Sequence, residues 1–463
     1  MVKPDYEPGQ SFLLDQYPFE LVAAVLGQAA QVNHENAERK PRFIASPLIL
    51  RQVCRSWKAF VDSTPSLWQA LVISFPRMET DIVTGVKKWS NRVGTLPIDV
   101  YIDGSNLRQT LAWFKKFEAI GDSLAILHPK WRLLELLNVK NFFVNLIQSR
   151  LRRAFGGLTI FPILEVVAIH ISPNEFSHPT ALDFRSLDKL KCLDIRGQKN
   201  NFNAHAIPQT QAAQLTNFRL ERTSFDFEAL GLFVNLRVLH FSPFDAPPAR
   251  PFGLMSKVLL EQLESLTFVA TSWNLTLSIF QRLCLPKLLN LSIALHSSPE
   301  PDSDSDTQTI PEVQPLFEEE LHSILASFRQ VTQLGLVVKT KELTIGRPFF
   351  EGLGLLKGPV RLPKLRLFSY EGNLQLESVF CLQSILERCS CRSPPPTTPN
   401  SSGSGSYSPD VAALKFVKIK SNDLRPFLLP NNFSRGTEAY ATIKEMVVQN
   451  TLWLIDDEDK ALI

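Results

Sequence analysis

Long apolar runs are missing from this chain: no stretch approaches the roughly 18 apolar residues that a membrane-spanning helix needs. The first residues, MVKPDYEPGQ, contain no apolar core of signal-peptide length. Cysteine is also scarce, with six residues scattered over 463 positions, which is typical of buried reduced thiols rather than a disulfide framework. We therefore expect a cytoplasmic or nuclear protein that does not contact a membrane.

Charge of one sign is equally scarce, because 49 lysines and arginines nearly balance 46 aspartates and glutamates. The resulting net charge of +3 is too small to favour a nucleic-acid partner on electrostatic grounds. Charged residues make up 21% of the chain and hydrophobic residues 44%, so most of the sequence can bury a core. These values favour a folded protein and give no electrostatic reason to expect a nucleic-acid or membrane-surface partner.

Motifs that carry catalysis or hold cofactors are absent from the sequence. None of the eight histidines lies at metal-ligand spacing from a cysteine, and the C-x-C of Cys389 and Cys391 has no second pair at zinc-finger distance. The glycines at 352, 354 and 358 do not match a dinucleotide fingerprint, and neither a phosphate loop nor a G-x-S-x-G elbow occurs. The sequence therefore predicts a protein that is not an enzyme and carries no cofactor or metal.

The N-terminal part, after a tail over 1–10, predicts a small module of three helices within 11–75. The first helix covers 18–30, the second starts at Ser46 and Pro47, and a third starts at Thr64 and Pro65. The second helix is expected to run past Val53 with its apolar residues on one face, and the third to reach Leu71. Such a small domain has more apolar residues than its own core needs, so part of its surface is expected to dock on another protein. An ordinary three-helix bundle with a complete internal core is the alternative.

The order P-x-E-L, V-C-R-x-W and T-P-x-L-W resembles the F-box-like segments of basidiomycete fungi. The residues that carry this resemblance are Pro18, Glu20, Leu21, Val53, Cys54, Arg55, Trp57, Thr64, Pro65, Leu67 and Trp68. The resemblance implies that the first helix and the start of the second face a Skp1-like adaptor of a cullin complex. The contacts that it implies are Pro18, Leu21, Val25, Leu48 and Val53. Trp57 and Trp68 are expected to hold the module together.

Residues 76–155 are expected to form the first, irregular helix-strand repeats that lead into a longer array. A helix over 80–92 precedes a strand over 96–101, and a helix over 106–120 precedes a strand over 131–137. Alternating helices and strands are typical of an α/β protein with a parallel sheet.

Residues 156–463 contain the pattern L-x-x-L-x-L nine times, at separations that begin as 26, 25, 21, 27 and 25 residues. The first residues of the matches are Leu164, Leu190, Leu215, Leu236, Leu263, Leu288, Val331, Leu365 and Leu414. This periodicity predicts a curved leucine-rich-repeat solenoid with a parallel sheet, because single repeats cannot bury their apolar strands alone. A conventional α/β sheet of unrelated strands is the alternative.

Between the repeats, helices are expected over 318–330 and 376–390, and a closing helix and strand over 437–448 and 452–458. Two inserts interrupt the period, one acidic over 297–315 and one rich in Ser, Pro and Gly over 391–410. Both have too few apolar residues to offset the entropy of ordering, so the sequence predicts that they are disordered.

The polar residues that stand between the apolar residues of each match are expected to lie on the concave face of the solenoid. They are Asp194, Arg219, His240, Thr267, Ser292, Ser369 and Lys418, with Arg196, Glu221 and Lys420 just beyond them. Because packing does not dictate these residues, they are the candidates for binding a protein substrate; a merely solvated face is the alternative. The resemblance and the repeats together imply a substrate-recognition subunit of an SCF-type E3 ubiquitin ligase. The alternative is a leucine-rich scaffold that engages no adaptor.

Overall fold

The computed structural model describes most of the chain. The described residues are 17–33, 42–43, 45–75, 82–105, 111–154, 161–171, 187–202, 205, 207–243, 257–296, 313–340, 343, 345–346, 349–350, 353, 362–372, 412, 414–420 and 452–455. Among them, no helix combines the length and apolarity that crossing a membrane requires. The chain forms two compact units, residues 1–215 with 222–225 and residues 216–221 with 226–463.

The first unit begins with short helices. These elements are α1 (Phe19–Ala29), the two-residue strands β1 (Val32–Asn33) and β2 (Arg42–Phe43), α2 (Pro47–Leu50), α3 (Arg55–Ser63) and a 3-10 turn (Pro65–Trp68). Ser46 caps α2 as expected, since its hydroxyl accepts the Leu48 N–H at 3.3 Å. β1 and β2 pair antiparallel within the insert that separates α1 from α2.

Two predictions about this module are wrong. The expected second helix is two helices, because the chain turns after Leu50 and Cys54 adopts an extended conformation before α3 begins. The expected third helix is a single 3-10 turn, and Leu71 lies on the strand β3 (Ala70–Ser74) that follows it. The helical spacing of apolar residues continued across both breaks, so periodicity alone could not find them.

The rest of the first unit alternates helices and strands. It contains α4 (Ile82–Val93), β4 (Ile98–Asp103), α5 (Leu111–Leu127), a 3-10 turn (His128–Lys130), β5 (Trp131–Val139), α6 (Asn141–Ala154), β6 (Val166–Ile171), β7 (Cys192–Phe202) and α7 (Gln209–Ala212). The strands β3 to β7 follow one another in sequence order and pair in parallel. The expected helix-strand alternation over 76–155 is confirmed, with element ends shifted by a few residues.

The second unit is dominated by parallel strands. It contains most of β8 (Asn217–Phe225), a 3-10 turn (Phe227–Leu232), β9 (Val238–Pro243), β10 (Val258–Leu259), β11 (Ser265–Ala270), α8 (Trp273–Phe280), β12 (Leu283–Cys284), β13 (Asn290–His296), α9 (Val313–Ala326), β14 (Gln333–Lys339), β15 (Leu367–Gly372), β16 (Phe416–Lys420) and β17 (Leu452–Ile455). From β9 onward the main strands β9, β11, β13, β14, β15, β16 and β17 pair in parallel, whereas β10 and β12 form a separate small sheet.

The first residues of the L-x-x-L-x-L matches, which we call the repeat anchors, form the core, as the pattern predicted. All nine first residues of the L-x-x-L-x-L matches are buried, with at most 4% of their surface exposed. Leu266, Leu291 and Leu334 lie opposite one another on neighbouring strands, so each repeat packs its leucines against the same positions of the next. This register is the arrangement of stacked leucine-rich repeats and not that of unrelated strands.

A ladder of backbone hydrogen bonds marks the residue that follows each anchor. The Glu264 N–H donates to the Arg237 carbonyl at 2.9 Å, and the Leu289 N–H donates to the Glu264 carbonyl at 2.9 Å. The ladder continues with Thr332 to Leu289 at 2.8 Å and Arg366 to Thr332 at 2.8 Å. The repeats therefore stay in register even where the sequence between them is long.

The structure describes only some of the elements that the remaining sequence predictions name. The helix expected over 318–330 is α9, which starts earlier and takes in the last three residues of the acidic insert. The strand LWLI of the closing unit is β17. The rest of the insert over 297–315, the insert over 391–410 and the helices expected over 376–390 and 437–448 lie outside the described residues.

Candidate functional site

Large apolar side chains are exposed on the N-terminal helices. Leu21 is 57% exposed, Val25 66% and Val53 52%. We call the group to which they belong the N-terminal apolar surface; it consists of Tyr17, Pro18, Phe19, Leu21, Val25, Leu48, Ile49 and Val53. It includes every residue that the F-box resemblance implies as an adaptor contact.

Helix α1 is apolar on two faces. Val22 and Leu26 are one turn apart and buried, so they form its contribution to the core. Leu21 and Val25 have the same spacing but lie on the exposed face. The exposed pair is therefore not needed to pack α1 onto its own protein, and it is free to contact another one.

The two helices that carry this surface are tied together and to the unit behind them. The Ala45 N–H donates to the Ala29 carbonyl at 2.6 Å, which joins the end of α1 to the start of α2. Asp62 on α3 accepts a hydrogen bond from Arg51 Nη2 at 2.9 Å and lies 3.2 Å from the Arg92 guanidinium on α4. These contacts fix the relative positions of α2, α3 and α4, so the exposed side chains stand on a preorganised base.

Aromatic packing beneath the surface agrees with the role expected of one of the two tryptophans. Trp68 is fully buried, donates its indole N–H to the Val61 carbonyl at 2.8 Å, and carries the Arg92 guanidinium over its ring at 4.3 Å. Trp57 is only partly buried, and its indole nitrogen has no hydrogen-bond partner in the described part of the chain. Trp68 is thus the residue that holds this region together.

In the first unit, Asp194, one of the predicted polar positions on the sheet, forms an ion pair. Arg196 donates to both Asp194 carboxylate oxygens, with Nε at 2.8 Å, and His170 Nε2 lies 3.6 Å from the same carboxylate. Burial alone raises the pKa of Asp194, but the hydrogen bonds from Arg196 and the nearby imidazole of His170 outweigh burial and hold the pKa well below its usual range. Asp194 is therefore a structural carboxylate in this protein.

A second polar cluster lies on the strands β4 and β5. Arg132 donates to both oxygens of Asp99, at 2.9 and 2.6 Å, and this hydrogen bonding raises the pKa of Arg132. Burial, helped by the negative charges of Asp99 and Glu135, raises the pKa of Tyr101 far above its usual value. Tyr101 therefore stays a neutral hydrogen-bonding group at any physiological pH, which makes it unsuitable as a general base.

In the second unit, the predicted polar positions line up across the strands. Thr267 pairs with His240 on one side and with Ser292 on the other, and Ser369 pairs with Lys418. Arg219 on β8 donates to Glu221 at 3.0 Å on its own strand. The structure thus brings His240, Thr267, Ser292, Ser369 and Lys418 into one row on one face of the sheet.

A shallow groove of about 320 Å³ lies on this face, over β11, β13, β14, β15 and β16. Thr267, Ser292, Gly335 and Ser369 line it along the row, and Leu367 and Phe416 flank it. Of these, Gly335, Leu367 and Phe416 were not among the candidate residues from the sequence. Gly335 could have been found, because it occupies the same position in its L-x-x-L-x-L match as Ser292 and Ser369 do in theirs.

The described lining of the groove contains no acidic, histidine or cysteine side chain. In the part of the chain that the structure describes, no group of three or more His, Cys, Asp or Glu residues could hold a metal ion. Hydroxyls, a glycine and apolar rings recognise shape and hydrogen bonds rather than perform bond cleavage.

Comparison with known proteins adds little to this picture. No protein-family model matches the chain, and no curated protein matches it either. Among solved structures, the chain is similar to the leucine-rich repeat domain of APL1B, at 12% identity over 65% of this chain and 76% of that one, with a TM-score of 0.29. It is also similar to TLR13 in a complex with ssRNA13, at 14% identity over 63% of this chain and 38% of that one, with a TM-score of 0.25. At such values the description as stacked leucine-rich repeats depends on the strand register and the buried anchors.

Proposed function

We propose that this chain is a substrate-recognition subunit of an SCF-type E3 ubiquitin ligase, the assembly of a Skp1-like adaptor, a cullin and an F-box protein. The observation that carries the proposal is the N-terminal apolar surface, where Leu21, Val25 and Val53 are more than half exposed on helices that already have their own core. The adaptor would cover this surface, with Pro18, Leu21, Val25, Leu48 and Val53 as its contacts.

Physical chemistry favours a partner for this surface. Burying one large aliphatic side chain completely stabilises a complex by roughly 1.5–3 kcal/mol, so several such residues supply a substantial part of a binding free energy. Exposed apolar groups of this kind on a rigid base mark protein interaction sites. The fixed positions of α2, α3 and α4 keep the ordering entropy of docking small.

The sheet of stacked repeats would hold the substrate protein. A receptor of this type needs no catalytic residue, because it accelerates ubiquitin transfer by raising the effective concentration of a substrate lysine near a charged conjugating enzyme. The proposal places the protein in the cytoplasm or the nucleus, where its partners are proteins rather than nucleic acids or membranes.

One observation favours a second candidate, a scaffold that engages no adaptor. The helices α1 to α3 lead into β3, which is the terminal strand of the first unit's sheet, and β3 would otherwise present an unpaired edge. Covering this end of the sheet would be a structural role for the helices that needs no partner. Under this alternative the protein still binds other proteins through its repeats.

Binding of the purified full-length chain to a purified Skp1-type adaptor, measured by isothermal titration calorimetry, separates the two candidates. The receptor predicts binding that Leu21→Asp combined with Val53→Asp weakens by about 100-fold, since both changes place charge in a buried interface. Ile126→Asp combined with Val234→Asp is the matched control, because these residues are 69% and 52% exposed elsewhere on the chain. Absence of binding by the unaltered chain would establish the scaffold.

A further inference from the structure

We infer that the groove on the second unit's sheet binds an extended acidic peptide segment that carries one bulky apolar side chain three residues before an acidic one. The inference deepens the substrate-binding half of the proposed function, and it rests on that proposal only in calling the bound protein a substrate. Four features of the groove support it: its floor, its wall, its charge and its spacing.

The floor of the groove has a notch at Gly335. On the neighbouring strands, Ser292 and Ser369 lie directly opposite this glycine. A Cβ atom at position 335 would lie 3.3 Å from the hydroxyl oxygens of both serines, which is tighter than an ordinary contact, so β14 itself has no room for a side chain there. Because position 335 has no side chain, the floor of the groove is lower between the two serines, and a bulky side chain from outside can pack above their hydroxyls.

The wall beside the notch is apolar. Leu367 and Phe416 are opposite each other on β15 and β16, two residues before Ser369 and Lys418, and both are partly exposed. Together with the notch they offer an aromatic or large aliphatic side chain one apolar contact surface, and the serine hydroxyls can bind peptide backbone groups.

The charge next to the notch is positive. Lys339 and Lys420 both lie near Glu371, and Lys418 lies two residues before Lys420 on β16. Glu371 Oε1 lies 3.0 Å from Lys339 Nζ and 3.9 Å from Lys420 Nζ, so one carboxylate is shared between two lysines. Among the described residues, no carboxylate lies within ion-pair distance of Lys418. A partner that supplies a carboxylate here would complete the charge balance.

The spacing between the notch and Lys418 defines the ligand further. Gly335, Ser369 and Lys418 lie on three successive paired strands, so the notch and the lysine are two strand spacings apart, or about 9.6 Å at ~4.8 Å per strand. A peptide in the polyproline II conformation advances ~3.1 Å per residue with three residues per turn, so two side chains three residues apart lie on the same face and about 9.3 Å apart. The expected ligand motif is therefore an apolar residue, two arbitrary residues and a Glu or Asp.

Fluorescence anisotropy with the full-length chain and three labelled nine-residue peptides tests the inference. The first peptide contains Phe-Gly-Ser-Glu in an otherwise neutral Gly/Ser context; the second has Lys in place of Glu, and the third has Gly in place of Phe. We expect the first to bind about tenfold more tightly than either of the others, and to lose affinity as NaCl concentration rises. Equal binding of all three peptides would overturn the inference.

Two variants locate the binding on the groove. Lys418→Glu reverses the unpaired charge without touching the core and should weaken binding of the first peptide about tenfold, whereas Lys415→Glu, the same change at an exposed residue just before β16, should leave it nearly unchanged. Gly335→Leu should fill the notch and abolish the preference for Phe over Gly, provided that circular dichroism shows a folded protein. Equal losses of affinity for the first peptide in Lys418→Glu and Lys415→Glu would show that the peptide does not bind at this groove.

Two further outcomes separate this inference from its alternatives. A single-stranded oligonucleotide of nine nucleotides that outcompetes the first peptide would overturn the inference in favour of a nucleic-acid site. The adaptor titration with the Leu21 and Val53 variants is independent of the groove. Peptide binding without adaptor binding would therefore support the groove as a peptide site and contradict the ligase assignment. Adaptor binding without peptide binding would support the ligase assignment and contradict the peptide site.

Discussion

Trp89 donates its indole N–H to the backbone carbonyl of Trp68 at 2.6 Å, and the two rings meet edge to face at 4.8 Å between their centroids. Trp68 belongs to the 3-10 turn that precedes β3, and Trp89 belongs to α4, which follows β3. The contact therefore joins the N-terminal helices to the first strand-helix unit of the sheet. The N-terminal helices are consequently a continuous part of the first unit and not a separate domain on a linker.

The first prediction concerns this contact. Trp89→Phe keeps the ring packing but leaves the buried Trp68 carbonyl without its donor, and we expect a loss of about 1–3 kcal/mol in the free energy of unfolding. Trp57→Phe is the control, because the Trp57 indole nitrogen has no partner among the described residues and its removal should change stability by less than about 0.5 kcal/mol. Urea denaturation of both variants measures the difference. Equal changes in the free energy of unfolding for the two variants would show that the hydrogen bond from Trp89 to the Trp68 carbonyl does not stabilise the protein.

The second prediction concerns two glycines whose substitution by alanine should change stability in opposite directions. Gly372 ends β15 with φ at +153°, and a Cβ there would lie 2.4 Å from the Val338 carbonyl oxygen. Gly372→Ala should therefore destabilise the protein by about 1–3 kcal/mol or more. Gly85 lies inside α4 with no atom within 4 Å of its ideal Cβ position, so Gly85→Ala should stabilise by up to about 1 kcal/mol.

Thermal unfolding followed by circular dichroism compares these two variants directly. The unaltered protein should melt between them, below Gly85→Ala and above Gly372→Ala. A Gly372→Ala variant as stable as the unaltered protein would show that the end of β15 relaxes freely, and that the close approach of Gly372 to β14 is not a structural requirement.

The leucine-rich core was predictable from the sequence, and the turns of the N-terminal module were not. Leu263 and Leu288 are equivalent residues of successive repeats, and such recurrence reports burial independently of local conformation. The break between Leu50 and Arg55 depends on a single extended residue, Cys54, within an unbroken apolar spacing. Hydrophobic periodicity carries no information about one backbone dihedral, so the expected helix ran through it.

The candidate sites were predictable to different degrees for a similar reason. Leu21 and Val25 were expected to face a partner only through the F-box resemblance, because apolar spacing does not distinguish them from the buried Val22 and Leu26. The pairing of Asp194 with Arg196 was hidden, because two residues that are two apart on a strand point to the same face but need not touch. The same uncertainty hid Glu371, whose partners Lys339 and Lys420 lie on the two neighbouring strands.

The third prediction follows from the low pKa of Asp194. A carboxylate whose pKa is lowered by folding stabilises the native state above its unfolded pKa of about 3.9, and this stabilisation disappears as the pH falls through the lower folded value. Asp194→Asn should therefore cost about 1–3 kcal/mol near pH 7, because Arg196 loses its charged partner. The difference between the two proteins should shrink steadily below about pH 4.

Urea unfolding of both proteins at a series of pH values from neutral to acidic measures this difference. Glu165→Gln is the matched control, since Glu165 pairs with Lys191 at 3.0 Å at a well-exposed site where an ion pair contributes little at any pH. A constant gap between Asp194→Asn and the unaltered protein down to acidic pH would mean that the ionisation of Asp194 is not linked to folding.

The last prediction tests whether Cys54 acts as a helix cap or as a core residue. Its sulfur accepts the Trp57 N–H at 3.4 Å, and its backbone is extended at φ −160° and ψ 176°, which is the conformation of a helix N-cap. Sulfur is a weak acceptor, whereas a serine hydroxyl at the same place is among the best caps. Cys54→Ser should therefore stabilise the protein by about 0.5–1 kcal/mol.

If Cys54 were instead a small apolar core residue, as its apolar sequence context suggested, the same substitution would bury a hydroxyl and lower stability. The sign of the change in urea midpoint therefore decides between the two roles. Cys284→Ser, at an exposed position on β12, should change nothing measurable and controls for the loss of a thiol in general. Since Val53 precedes this residue on the N-terminal apolar surface, a stronger cap would also hold that surface more firmly in place. The Cys54→Ser variant should then bind the adaptor at least as tightly as the unaltered chain.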